Sequence, residues 1–273
     1  METKKQQPKT KARSKGASAG FIILGCAIVA GVFFFGVCGA DSNFDDKGHP
    51  LPGNVFGTLY QGGYVIPIVI TLLLTVVALS IERIFAMNRA SGKGKTSQFI
   101  INAKAKLEAG DIEGASKLCD DQKGSVANIL KAGLVRYKDV ESIPDMTNAG
   151  KAELIQAEIE EATTLELPYL EKNLNIIAAI SSLGTLFGLF GTVLGMIKSF
   201  SAMGQEGAPD STALAVGISE ALMNTAMGIG TGAVAIISYT YFTGRVQSMT
   251  NAVDEVGFAI GQTFVDKHGG LTK

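Results

Sequence analysis

Hydroxyl and charged side chains recur at helical spacing inside two apolar segments of this 273-residue chain. One narrow face of the first segment carries three hydroxyls, those of Thr185, Thr192 and Ser199. The second segment carries Thr225 on a face of small residues and the carboxylate of Glu220 about 140° away around the helix. Because a hydroxyl in hydrocarbon needs a hydrogen-bond partner, such faces indicate either close helix packing or a hydrated ion path. Their presence on two consecutive segments favours the ion path.

Glu220 is the one carboxylate well inside a predicted span, where a charge costs roughly 3 kcal/mol unless it is paired or hydrated. If the two segments form a hairpin with Thr192 level with Thr225, Lys198 lies at nearly the same depth as Glu220. We therefore predict a Lys198–Glu220 ion pair, within one subunit or between neighbours. The alternative is that Lys198 reaches the external headgroups while Glu220 meets water. In either case, Thr225 is predicted to face a pore, and Glu220 to face a neighbouring helix or the pore edge.

Composition and hydropathy place these residues in a membrane protein. Mean hydropathy is +0.27, and the apolar residues are concentrated in blocks. Crossing the hydrocarbon takes about 20 apolar residues, and four segments qualify. The predicted fold is all-α, with long transmembrane helices that extend into a helical cytoplasmic region. The predicted transmembrane helices are 20–39, 64–87, 174–201 and 213–243.

Charge predicts the orientation of these spans. The N-terminal segment 1–19 carries six basic residues against one Glu, so it is expected in the cytoplasm. Segments 40–63 and 202–212 are then periplasmic loops, 88–173 is a cytoplasmic helical region, and 244–273 is a cytoplasmic helix. A cleaved signal peptide is the alternative for the first 40 residues. A lipoprotein site is disfavoured because Val37 precedes Cys38.

The polar regions predict further helices. A Gly110-Asp111 turn, capped by Asp111, separates two of them, and Val126–Tyr137 forms a third. A fourth, Lys151–Glu171, is expected to bend at Pro168 before the third span. The apolar residues at helical spacing in this fourth helix are Leu154, Ala157, Ala162 and Leu165. In the C-terminal tail they are Val246, Met249, Val253, Val256, Ile260 and Phe264.

Several classes of function are disfavoured. A net charge of −1 gives no reason to expect nucleic-acid binding. Cys26, Cys38 and Cys119 lack metal-site or disulfide spacing, and His49 and His268 stand alone. Without a nucleophile–base pair, a metal cluster or a phosphate loop, we expect neither an enzyme nor a cofactor.

Two membrane segments carry a family resemblance. Gly188–Ile197 and Gly217–Gly228 closely resemble the signature segments of the MotA/TolQ/ExbB proton-channel family, in its ExbB-like branch. Gly110–Cys119 followed by Ala127–Leu134 is similar to the family's soluble region. The resemblance covers roughly Tyr64 to Phe242, so the first span is additional to the usual three.

The resemblance implies an assembly and a site. The assembly is a homopentamer in membrane lipid, enclosing a dimer of single-span ExbD-like or TolR-like partners and acting with a TonB-like protein. The family's pore threonines correspond to Thr192 and Thr225, and its membrane glutamate to Glu220. Thr185, which stands where the family often has Pro, adds one hydroxyl to the path, and Ser199 is a further candidate lining residue.

The resulting interpretation is an inner-membrane motor subunit that couples the proton motive force to TonB-dependent transport. The presumed pore face offers hydroxyls but no acid, so the proton-carrying group is expected from the partner. One alternative is the same motor in a Tol-type envelope system or in motility. The alternative from another class is a passive scaffold or solute channel. The choice between H⁺ and Na⁺ stays open.

Overall fold

Every segment of regular secondary structure in the described part of the chain is a helix. The computed structural model describes residues 19–46, 48–144, 146–205 and 211–269. These residues form no strand, only an isolated bridge between Phe44 and Pro50. The predicted basic segment 1–19, except for its last residue, the central part of the predicted loop 202–212 and the end of the tail lie outside the described residues. Four helices of the described part are long and apolar enough to cross a membrane, as predicted.

Nine α-helices occur in the described residues, and the first continues as a π-helical turn, Phe33–Cys38. Their bounds are α1 Ala19–Val32, α2 Val55–Gln61, α3 Val65–Ser91, α4 Thr96–Glu108, α5 Ile112–Gln122, α6 Ser125–Glu141, α7 Asn148–Leu170, α8 Leu174–Gln205 and α9 Ser211–Gly269. At 1.5 Å per residue, the 59 residues of α9 extend about 90 Å, roughly three times the hydrocarbon thickness. The predicted continuation of the fourth apolar helix into the tail is thus confirmed.

The segment 40–63 is not only loop, because it contains the helix α2. Asn54 caps this helix by accepting hydrogen bonds from the backbone N–H groups of Phe56 and Gly57. Its amide also donates to Asn43 Oδ1 at 3.0 Å. Asn43 in turn donates to the carbonyl of Cys38 at 3.1 Å, which satisfies the end of the π-helical turn. Two asparagines thereby order a segment whose Gly and Pro content had predicted loop.

The chain divides into two compact units. The first comprises Met1–Thr75 and Leu186–Ile229. Its core forms where the π-helical turn, α2 and α3 pack together, and Phe34 stacks on Tyr60 with ring centroids 5.0 Å apart. The fully or largely buried members of this core are Ala30, Phe34, Cys38, Leu59, Ile66 and Ile70.

The second unit comprises Val76–Thr185 and Gly230–Lys273. Asp111 caps α5 by accepting from the N–H of Gly114, as predicted. All six apolar residues predicted for the tail are buried, and Phe264 packs edge-on against Tyr137. On α7, however, the buried residues are Ile155, Ile159 and Leu170, while Leu165 is 74% exposed. The predicted apolar face of this helix was therefore wrong.

A buried arginine joins α3 to the end of α7 within the second unit. Arg83 is 1% exposed and donates to the carbonyls of Tyr169 at 3.2 Å and Leu170 at 3.5 Å. Glu82 compensates its charge at 2.6 Å, and Asn173 donates to Glu82. The α7–α8 junction is thereby held by a cation that binds the last carbonyls of α7. Pro168 lies inside α7, two residues before it ends.

Gly133 tests the packing of α6 on α7. A Cβ at Gly133 would lie 2.6 Å from Ile159 Cγ1, and Ile159 is buried. We expect Gly133→Val to destabilise the protein by about 1–3 kcal/mol through overpacking. Thermal unfolding of the detergent-purified protein measures this. Gly261→Val on α9, where a Cβ meets nothing within 4 Å, is the matched control. Equal melting temperatures for the two variants would contradict this packing.

Cys119 tests burial in α5. Burial, together with the adjacent Asp120 carboxylate, raises the pKa of its thiol from 9.0 to about 12. A raised pKa keeps the thiol protonated, so at pH 8.5 its thiolate fraction falls about a thousandfold. In a Cys26→Ala, Cys38→Ala background, we expect Cys119 to alkylate with iodoacetamide only after denaturation. A cysteine at exposed Ala109, with Cys119→Ala, should alkylate in the native protein. Native alkylation of Cys119 at the same rate would show that the thiol is accessible.

Candidate functional site

Small residues bring α8 and α9 into close contact within the first unit. A Cβ at Gly188 would lie 2.9 Å from the Gly228 Cα, and one at Gly195 would lie 3.0 Å from the Ala221 Cβ. Side chains larger than hydrogen at these positions would separate the helices. In a membrane, where lipid removes the hydrophobic drive between helices, such close approach supplies the packing energy. The contact therefore sets which polar groups of the two helices meet.

The two threonine hydroxyls meet at this contact. Thr192 Oγ1 and Thr225 Oγ1 are hydrogen-bonded to each other, in the register expected from the sequence. Each also lies within donating distance of one acceptor, the carbonyl oxygen of Gly188, at 3.2 Å from Thr192 and 3.4 Å from Thr225. Each hydroxyl has one proton to donate and can also accept. If one satisfies the Gly188 carbonyl, the other donates to the first; it can accept from a foreign acid while keeping that bond, and it can donate to a foreign carboxylate by exchanging that bond for the new one.

Thr192 also borders a concave, mainly apolar surface of α8. The cavity that this surface lines has a volume of about 590 Å³. Its other lining residues are Leu189, Val193, Met196, Ile197, Phe200 and Ser201. Leu189, Ile197 and Phe200 are each more than half exposed. The first unit thus presents the hydroxyls of Thr192 and Ser201 beside apolar side chains that the described part of the chain does not cover.

The structure contains the Lys198–Glu220 ion pair within one chain. Lys198 Nζ lies 2.9 Å from Glu220 Oε2. The two partners differ in exposure, since the lysine side chain is 69% exposed and that of the glutamate 10%. Glu220 also approaches Gly63 just before α3, where a Cβ would lie 3.1 Å from Glu220 Oε1. Gly63 has φ +67°, so its backbone and this contact both favour glycine.

The remaining two hydroxyl candidates are Ser199, in the first unit, and Thr185. Ser199 is 1% exposed and donates to the carbonyl of Gly195 at 2.9 Å. A Cβ at Gly217 of α9 would collide with its hydroxyl, so Ser199 belongs to the helix contact. Thr185, in the second unit, is exposed and donates to the carbonyl of Ser181 at 3.3 Å. Each of these hydroxyls therefore bonds back to a carbonyl of its own helix, as Thr192 also does.

Asn224 shares a polar helix face with Glu220, one turn away, but is not among the predicted lining residues. It is 1% exposed, and its Oδ1 has no hydrogen-bond partner among the described residues. A Cβ at Gly191 would lie 2.6 Å from the Asn224 Cβ, so this amide also occupies the α8–α9 contact. The described residues contain no group of three or more His, Cys, Asp or Glu able to hold a metal ion.

Comparison with known proteins supports the resemblance in the membrane segments. Residues 121–255 match the MotA/TolQ/ExbB proton channel family. The biopolymer transport protein ExbB of Aquifex aeolicus is 30% identical over 118 residues, covering 43% of this chain and 72% of that protein. ExbB of Salmonella typhimurium is 26% identical over 56% of this chain and 64% of its own length.

A relative from a second system matches as well. The Tol-Pal system protein TolQ of Pseudomonas aeruginosa is 29% identical over 129 residues, covering 47% of this chain and 56% of that protein. The chain therefore spans between about half and two thirds of the length of the Pseudomonas and Salmonella relatives. The matched family region contains both threonines and the Lys198–Glu220 pair. On these matches, the chain belongs to the MotA/TolQ/ExbB proton channel family.

Proposed function

We propose that this chain is the ring-forming subunit of an ExbB–ExbD-type motor in the bacterial inner membrane. The motor converts the proton motive force into mechanical work and energises TonB-dependent transport across the outer membrane. The observation that carries this proposal is the hydroxyl pair of Thr192 and Thr225, which shares the Gly188 carbonyl beside an uncovered apolar surface. Such a surface suits a foreign transmembrane helix that brings its own acid.

The proposed chemistry is a change in hydrogen bonding when the partner's carboxylate takes up a proton. The ionised carboxylate accepts from a threonine hydroxyl, and hydrogen bonds to a charged group contribute about 1.5–3 kcal/mol. Once protonated, the acid is neutral and can leave the hydroxyl pair for an apolar neighbour. A membrane potential supplies about 2.3 kcal/mol per charge per 100 mV, which is comparable to the cost of breaking that bond. Repetition of this step around the ring would turn the partner.

The proposed assembly is a homopentamer around a dimer of ExbD-like or TolR-like single-span partners, working with a TonB-like protein. Both termini and the polar helices α4–α7 lie in the cytoplasm, and α2 lies in the periplasm. Segment charge supports this orientation, because basic residues follow the second predicted span and a basic segment precedes the first. The Lys198–Glu220 pair then lies near the periplasmic end of the ring and contributes to subunit or partner contacts.

A Tol-type motor is the second candidate, because the relatives include TolQ proteins as well as ExbB proteins. Purification in mild detergent followed by identification of the companion chain distinguishes the candidates. A companion of the ExbD type, together with a TonB-like protein, supports transport. A companion with a peptidoglycan-binding domain supports the Tol-type reading. A protein that purifies with no single-span companion would contradict both.

The threonine pair gives the central mutational prediction. Thr192→Val and Thr225→Val remove a hydroxyl at nearly constant volume, so the helix contact should persist. We expect each to lower partner-dependent proton flux by about 10- to 100-fold, since a hydrogen bond to a charge is lost. The measurement is flux into liposomes containing the protein and its copurified companion, with size-exclusion chromatography reporting assembly.

Thr71→Val is the matched control for that experiment. Thr71 lies in the apolar helix α3 and donates to the carbonyl of Pro67 at 2.7 Å, so among the described residues its hydroxyl bonds within its own helix. Its variant should retain flux. Normal flux in both pore variants would favour a passive scaffold. Loss of assembly in either would mean that the hydroxyls act in packing.

The ion pair gives a second prediction. Lys198→Glu places two carboxylates together, and Glu220→Lys places two ammonium groups together, so each single variant should lose flux. The double variant Lys198→Glu/Glu220→Lys restores an opposite pair and should recover most of it. A double-mutant cycle on the same liposomes measures the coupling, expected to be about 1 kcal/mol. Purely additive losses would show that the two residues act independently.

A further inference from the structure

A polar groove in the second unit is not used by the proposed motor. It has a volume of about 1520 Å³ and lies between the α3–α4 turn, one face of α4 and one face of α9. Small-molecule pockets usually enclose about 300–1,000 Å³, so this groove is large for a compact metabolite. We propose that it binds the headgroup of an anionic phospholipid.

The charges at one end of the groove fit a lipid phosphate. Lys95 and Arg245 line this end, and neither forms an ion pair with any residue that the structure describes. Arg245 donates to the hydroxyl of Tyr241 at 3.3 Å, which leaves the Tyr241 proton free to donate to a phosphate oxygen. A guanidinium, an ammonium and a phenol together supply the donors that a phosphodiester accepts.

The acidic side chains of the groove lie at its other end. Glu255 is ten residues beyond Arg245 on α9, about 15 Å along the helix, and it is paired with Lys104. Glu108 is 13 residues beyond Lys95, about 20 Å along α4. The positive end therefore has two uncompensated cations, and a ligand with net negative charge complements it better than a zwitterionic one.

The membrane side of the groove offers a path for acyl chains. The groove begins at Asn88 on α3 and Tyr241 on α9, at the ends of the predicted spans 64–87 and 213–243. Phe85, three residues before Asn88, is 71% exposed, and Ile237, four residues before Tyr241, is 68% exposed. Residues at these spacings lie on the same helix face. An apolar strip thus leads into a basic, hydroxyl-lined slot at headgroup depth, which is the chemistry of a phospholipid.

The test uses a tryptophan reporter, because the chain has no native Trp. Phe85→Trp places an indole on the proposed acyl path of the full-length protein. The purified protein is titrated with phosphatidylglycerol or phosphatidylcholine brominated on the acyl chains, and bromine quenching reports binding. We expect phosphatidylglycerol to bind at least fivefold more tightly. In the reporter background, Arg245→Gln and Lys95→Gln should each lower that preference about fivefold, the effect of one basic residue at an anionic surface.

Arg89→Gln is the matched control, because Arg89 is exposed in the last turn of α3 but does not line the groove. It should change the preference less than twofold. Equal losses in Arg89→Gln and Arg245→Gln would reduce the effect to diffuse surface attraction and overturn the proposal. Equal quenching by the two lipids would also overturn it.

Two further arms identify the occupant. Millimolar inorganic phosphate should not displace brominated phosphatidylglycerol; complete displacement would mean that the groove takes a free phosphate and not a lipid. Absence of quenching by either lipid would mean that protein, such as a second copy, covers the strip. Ile237→Trp repeats the measurement from α9, so a folding defect in Phe85→Trp leaves the proposal testable.

Discussion

Close approach of α8 and α9 is the constraint on which the proposed site depends. Lipid provides no hydrophobic drive for two apolar helices to associate, so the contact relies on backbone proximity at glycines such as Gly188 and Gly195. That proximity brings Thr192 and Thr225 together over one carbonyl and places Lys198 beside Glu220. A larger residue in the contact would separate the hydroxyls before it altered either helix. The glycines of these spans therefore set the distance between the two helices, and the polar groups supply the hydrogen bonds and the ion pair.

The register of this contact could be predicted from the sequence. Once Thr192 is taken to be level with Thr225, helical periodicity and antiparallel pairing place Lys198 level with Glu220, because a regular helix leaves few choices after one level is set. The tail was predictable for the same reason, since its apolar residues keep one face over many turns and all of them are buried. The same periodicity does not predict which hydroxyls on a face line a pore. Ser199 shares the face of Thr192, yet it lies in the helix contact, because the side facing Gly217 admits its hydroxyl.

What the sequence missed depends on contacts between distant segments. The acidic helix α7 carries several apolar residues, and only its packing on α6 and α9 selects Ile155 and Ile159 over Leu165 for burial. Helix α2 is capped by Asn54, which is itself held by Asn43, and the Gly- and Pro-rich composition of this segment did not indicate that contact. From the sequence, Arg83 is one of the basic residues that follow a predicted span. In the structure it is buried and donates hydrogen bonds to the last carbonyls of α7. These cases share one cause: the local sequence pattern does not specify which distant segment of the chain a residue will contact.

Under the proposed function, a second chain completes the polar chemistry of this subunit. The most direct measurement is a structure of the intact complex, purified with its single-span companion. The account predicts a companion helix enclosed by a ring of these subunits, with a carboxylate oxygen about 2.6–3.2 Å from the hydroxyl of Thr192 or Thr225. Threonines that face lipid, or a ring that encloses no companion helix, would contradict it.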